Sequence, residues 1–151
     1  IDTDMEIYIP DDYVNIVKER LALYQELSQL KTTQELEAFE AKLQDRFGAL
    51  PDAAKELIES VRLKWIAIRL GMERLILKKG NCLCYFLSDQ QSNFFQSEGF
   101  SFLLNQIQGS PERMQLKEKN TTNGPKLLLS IREIENVKSL IILLDKLVLK
   151  N

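Results

Sequence analysis

The sequence predicts an α+β domain: an amino-terminal group of three helices, then a small, mostly antiparallel sheet with two further helices. Three observations carry this. Apolar residues recur at helical spacing as far as about residue 70. Beyond Gly71 the texture changes to short apolar runs separated by turn residues. The best marked of those turns, Lys78-Lys79-Gly80-Asn81, folds two runs into a hairpin.

Each element has its own signal. Asp2 to Ile9 alternates weakly and reads as a short strand ending at Pro10, after which Asp11 and Asp12 offer an N-cap. Tyr13, Ile16, Val17, Leu21, Tyr24 and Leu27 then recur as one helical face. Thr32 and Glu35 stand in the reciprocal positions of a capping box, and Leu36, Phe39, Leu43 and Phe47 form the stripe of the helix it opens. A third helix runs from Pro51 to about Leu70, with Leu57, Ile58, Val61, Trp65 and Ile68 inward, and Gly71 ends it. The hairpin runs are Met72 to Leu77 and Cys82 to Leu87. A short helix over Gln96 to Gln106 and a strand over Arg113 to Glu118 follow. Asn123-Gly124-Pro125 turns the chain into a strand from Lys126 to Ile131, and a last helix spans Glu135 to about Leu149. Its apolar residues are broader than one buried stripe needs, so it is either sandwiched in the core or in part meets another domain.

The corner between the second and third helices is the densest stretch. Gly48 sits where a helix ends in a left-handed conformation that glycine adopts without steric cost. Pro51 supplies the fixed φ of a first turn, and Asp52 puts a carboxylate at the positive end of the next helix. A rigid corner of this kind presents Asp45 and Arg46 to a partner.

Composition narrows the function. At 151 residues and 44% hydrophobic, the chain is long enough for one domain with a proper core, or for two very small ones. Starting at Ile1, it reads as a piece of a longer protein. Neither a membrane span nor a leader is visible. Residues 1–71 hold 14 acidic against 9 basic side chains, and residues 72–151 hold 8 against 11. The acidic helical half suits a basic protein partner better than nucleic acid. Cys82 and Cys84 share one face of a strand and are expected as free thiols, since a bridge there is geometrically poor. Zinc would want two more soft ligands, and there is no histidine and no third cysteine. Phosphate-loop, dinucleotide and nucleophile-elbow motifs are missing, and so is the usual general base. The expectation is a binding role without catalysis, metal or cofactor.

Ile-Pro-Asp-Asp-Tyr at 9–13, Arg-Leu-Ala-Leu-Tyr at 20–24, Lys31-Thr32 to Leu36, Asp-Arg-Phe-Gly-Ala-Leu-Pro at 45–51 and Leu-Gly-Met at 70–72 occur in this order. The series resembles the carboxy-terminal domain of bacterial transcription-repair coupling factor. It is carried by residues 1–77; beyond them, length and element order agree. The resemblance implies a single terminal regulatory domain over 1–151, with a helical half (1–71) and a sheet-containing half (72–151), in a large cytoplasmic bacterial parent. That parent would be an ATP-driven translocase of duplex DNA, with ATP and magnesium held in other domains, which removes stalled RNA polymerase at lesions and recruits UvrA. The terminal domain would fold back on a UvrB-like amino-terminal module, masking the UvrA surface and restraining the motor. Asp45 matches the family's motif and is the first candidate for a contact to an arginine of that module. Arg46 would join it or anchor the corner. Lys42, one turn earlier on the same face, weakens the local negative field. Two other roles stay open. One is accessory DNA binding through Lys78, Lys79, Lys117, Lys119 and Lys126; the other is docking of a separate protein on the last helix.

Overall fold

The computed structural model of the protein describes residues 1–89 and 91–150. The chain divides into two compact units, residues 6–62 and residues 1–5 with 63–151, and the division falls within the third helix.

The first unit is helical. Helix α1 spans Val17–Gln29, α2 spans Thr33–Phe47, and α3, Asp52–Arg69, begins here and continues into the second unit. Thr32 caps α2 by accepting the Glu35 N–H at 3.1 Å, while the Glu35 carboxylate accepts from Lys31 N–H at 3.0 Å. The expected capping box is thus present with its return bond one residue early. Helix α1 begins four residues later than Tyr13. Pro10 carbonyl accepts from both Tyr13 and Val14 N–H at 3.1 Å, which closes a separate turn ahead of the helix. The helical period holds and Leu27 is buried as expected, but the buried face is turned away from Ile16, Val17 and Leu21 and towards Leu23. Leu23 and Leu27 are buried, whereas Ile16, Val17 and Leu21 are 56%, 59% and 58% exposed. In α3 the buried residues are Ala54, Ile58, Leu63 and Ala67; Leu57, Val61 and Trp65 are half-buried, and Ile68 faces solvent. Ile58 is buried as expected, but the centre of the face lies towards the two alanines, which a ranking by side-chain size passes over.

The second unit is built on a five-stranded sheet, order β1-β2-β3-β5-β4. Its strands are β1 Asp2–Thr3, β2 Met72–Lys78, β3 Asn81–Phe86, β4 Met114–Thr121 and β5 Gly124–Ile131. All pairings are antiparallel except β1 with β2. The predicted hairpin is present, with Lys79 and Gly80 at φ 54° and 76°, as a two-residue type I′ turn requires. The expected long first strand shrinks to two residues. Past Asp4, whose carboxylate accepts the Lys79 N–H at 3.0 Å, no further ladder pairing occurs among the described residues.

Successive residues Cys84, Tyr85 and Phe86 are all buried, as are Leu128 and Leu129, so the centre of the sheet is covered on both faces. Helices α4, Glu98–Gln108, and α5, Val137–Asp145, belong to this unit. Ser97 caps α4 and Asn136 caps α5, the latter in a reciprocal box with Ser139. Helix α5 is shorter than the apolar run suggested. The N–H groups of Lys146, Leu147 and Val148 bond three residues back, so the chain leaves the helix through tight turns. Cys82 and Cys84 are free and buried, Sγ to Sγ 3.6 Å. The hydrogen bond from Cys82 and then burial raise the Cys84 thiol well above its usual range.

Candidate protein-interaction site

The α2–α3 corner is held from several directions within the helical unit. Gly48 ends α2 at φ 93°, ψ −166°, and its N–H donates to Gln44 carbonyl at 2.9 Å. This is the extended positive-φ region, still more exclusive to glycine than the left-handed helical one expected from sequence. The Tyr13 hydroxyl donates to Gly48 carbonyl at 2.8 Å, with Leu43 carbonyl at 3.2 Å, and its ring meets Phe47 at 5.7 Å. Burial raises the Tyr13 phenol above its ordinary value. Sequence reasoning did not foresee this link, since nothing in a local pattern pairs residue 13 with residue 48.

The other motif residues are also engaged internally. Arg20 donates to Val14 carbonyl at 2.6 Å, and the Ile9 N–H donates to the Tyr24 hydroxyl at 2.7 Å. Both bonds tie the segment before α1 onto that helix. Asp52 stands 4.0 Å from Lys55, in the first turn of α3. An exposed pair at that distance contributes little.

The three candidate contact residues fare differently. Lys42 is bonded to both carboxylate oxygens of Glu26 on α1, at 2.6 and 2.5 Å, and lies over the Phe39 ring. Arg46 stacks on the Phe47 ring, 4.8 Å from its centroid, and stands 3.8 Å from Glu19. Asp45 is exposed, and its carboxylate has no hydrogen bond or ion pair among the described residues. Lys42 is thus bonded to α1, and Arg46 is held mainly by its stack on Phe47, with Glu19 as a loose, exposed neighbour. That leaves a negative corner.

The lysines of the sheet-containing part are not gathered in one place. Lys78 and Lys79 sit at the β2–β3 turn, level with Cys82 and its partner Ile131. Lys119 pairs with Lys126 five residues back along β5, about 17 Å away. Lys126 is also 3.6 Å from Glu73. Among the described residues, no group of three or more potential metal ligands occurs.

Fold and corner together define a class, an α+β domain whose helical unit presents a charged, internally braced inter-helix corner. A family model for the TRCF domain matches residues 3–97, which include every motif named above, and the chain belongs to that family. The transcription-repair-coupling factor of Escherichia coli (strain K12) is 30% identical over 139 residues, covering 92% of this chain and 11% of the relative. That of Haemophilus influenzae is 36% identical over 67 residues, covering 44% of this chain and 6% of the relative. The chain therefore spans about a tenth or less of the length of these relatives. A crystal structure of the C-terminal domain of transcription-repair coupling factor superposes with a TM-score of 0.68 at 19% identity. It covers 97% of this chain and 91% of that one, and establishes the likeness of fold.

Proposed function

We propose that the chain is a non-catalytic regulatory domain of a transcription-repair coupling factor, acting in transcription-coupled DNA repair. It packs on the UvrB-like amino-terminal module of its parent, masks the UvrA-binding surface and restrains the ATP-driven translocase that displaces RNA polymerase from damaged duplex DNA. The observation carrying this reading is the exposed Asp45 carboxylate, unpartnered among the described residues, on a corner where Lys42 is bonded to Glu26 and Arg46 is stacked on Phe47. An exposed carboxylate on a braced backbone contributes most when an arginine arrives from outside and forms charge-assisted hydrogen bonds. Lys42, bonded to Glu26, does not oppose that approach, and Arg46 serves as the anchor of the corner.

The deciding experiment is calorimetric titration of this domain into the parent's amino-terminal module. Within one chain the effective concentration reaches the millimolar range, so even a weak separate affinity supports a closed state. Deleting the domain from the full-length parent should raise UvrA affinity and DNA-stimulated ATPase together. Unchanged values for both would refute the masking role.

A further inference from the structure

The broad apolar face of α5 is not fully used by the core. Val137, Leu140 and Leu144 are buried, but Ile142, on the same helix, is 54% exposed. It borders a groove of about 360 Å³ formed where α5 passes the end of α4 and the start of β4. Met114, Leu143 and Leu147 give the groove an aliphatic floor.

Two cations stand at its edge. Arg113 donates from Nε to Arg132 carbonyl at 3.1 Å and from Nη2 to Glu133 carbonyl at 3.0 Å, which fixes the guanidinium plane and leaves Nη1 without an acceptor among the described residues. Lys146 is exposed, and among the described residues its ammonium group has no partner. None of the lining residues carries a carboxylate, and neighbouring Asp145 is bonded to Lys150 at 2.7 Å. The floor calls for aliphatic groups and the edge for an anion.

We propose that this groove docks a short acidic–aliphatic peptide segment of a partner protein. Leucine-like side chains lie on Ile142, Leu143 and Met114, and a carboxylate meets Lys146 and the free edge of Arg113. The volume suits two or three side chains, as in peptide recognition by grooves, rather than a folded surface. A nucleic-acid phosphate would satisfy the cations but leave the aliphatic floor bare, so the peptide is favoured. The site lies wholly in the sheet-containing unit and does not depend on the corner or on the clamp.

The test uses the full 151-residue chain, labelled with ¹⁵N and titrated with a short synthetic peptide of alternating leucine and glutamate. Amide shifts should move in residues 106–114 and 139–147. The glutamine version of the peptide, and the variant Lys146→Glu against the original peptide, should each bind about fivefold more weakly. Ile142→Asp should remove binding and lower thermal stability only modestly, because just over half of that side chain is already in water. Four results would overturn the proposal: no shift with the leucine–glutamate peptide, equal binding of the glutamine peptide, binding retained in Ile142→Asp, or displacement of the peptide from the same amides by duplex DNA.

Discussion

The Tyr13 hydroxyl donates to the carbonyl oxygen of Gly48 across 2.8 Å, joining residues 35 positions apart. Through this bond the turn ahead of α1 holds the end of α2. The corner is therefore a tertiary object rather than a local turn.

Replacing Tyr13 by Phe keeps the ring against Phe47 and removes the donor. Stability should fall by about 1 kcal/mol, measured by denaturant unfolding. The pH profile provides a second reading. Because burial raises the Tyr13 phenol above 10.0, the folded state holds that proton more firmly than the unfolded chain does. Its contribution is complete below pH 10 and is lost as pH rises through the folded value. The Phe variant should lack that part of the alkaline decline.

Two glycines at positive φ should respond unequally to alanine. At Gly48 a new Cβ meets nothing within 4 Å, so Gly48→Ala costs backbone conformation alone, about 1–3 kcal/mol. At Gly71, φ 70°, the same methyl collides with the Phe94 ring, which packs in turn on Phe95 and Phe100. Gly71→Ala should be the more destabilising of the two by thermal melting. Equal losses would contradict the packing around Phe94.

Asp45→Arg should leave the fold intact, since the exposed carboxylate has no internal partner among the described residues; its unfolding free energy should stay within about 0.5 kcal/mol of the original. In the full-length parent the reversal should weaken the closed state by roughly 2 kcal/mol, about 30-fold, seen as higher UvrA affinity. Wild-type affinity in that variant would remove Asp45 from the interface.

Acid should act on the sheet through Glu73. The Ser88 hydroxyl donates to its carboxylate, Lys126 stands 3.6 Å away, and the hydrogen bond holds Glu73 below its ordinary 4.5. A lowered carboxyl contributes stability above the unfolded value, and that contribution is lost as pH falls through the folded one. Ser88→Ala should cost no more than about 1 kcal/mol at neutral pH and should flatten the decline below pH 4.5.

What the sequence made legible follows from how local each signal is. The Lys79-Gly80 hairpin, the Thr32 cap and the Gly48 stop are each set by a few neighbouring residues, and all three are present. Rotation of a helix is decided elsewhere. Leu21 and Leu23 are equally apolar, and the choice of which is buried depends on what the rest of the unit offers. Helix α1 starts later than the apolar spacing suggests for a related reason, because Tyr13 is committed to a bond with residue 48 rather than to the first turn of a helix. At the site, Asp45 and Arg46 could be named from their motif, but their division of labour could not. The stacking of Arg46 on Phe47 and the pairing of Lys42 with Glu26 depend on α1 lying beside α2.

That last arrangement gives α1 an electrostatic role that its own surface does not reveal. Taken alone, Lys42, Asp45 and Arg46 carry one excess positive charge. Glu19 and Glu26, contributed by the neighbouring helix, turn the same cluster into one of excess negative charge. The sign of the corner is thus a property of assembly. A chain in which α1 has come away would offer a basic partner repulsion where the folded domain offers attraction, so binding through Asp45 would itself test whether the first helix is in place.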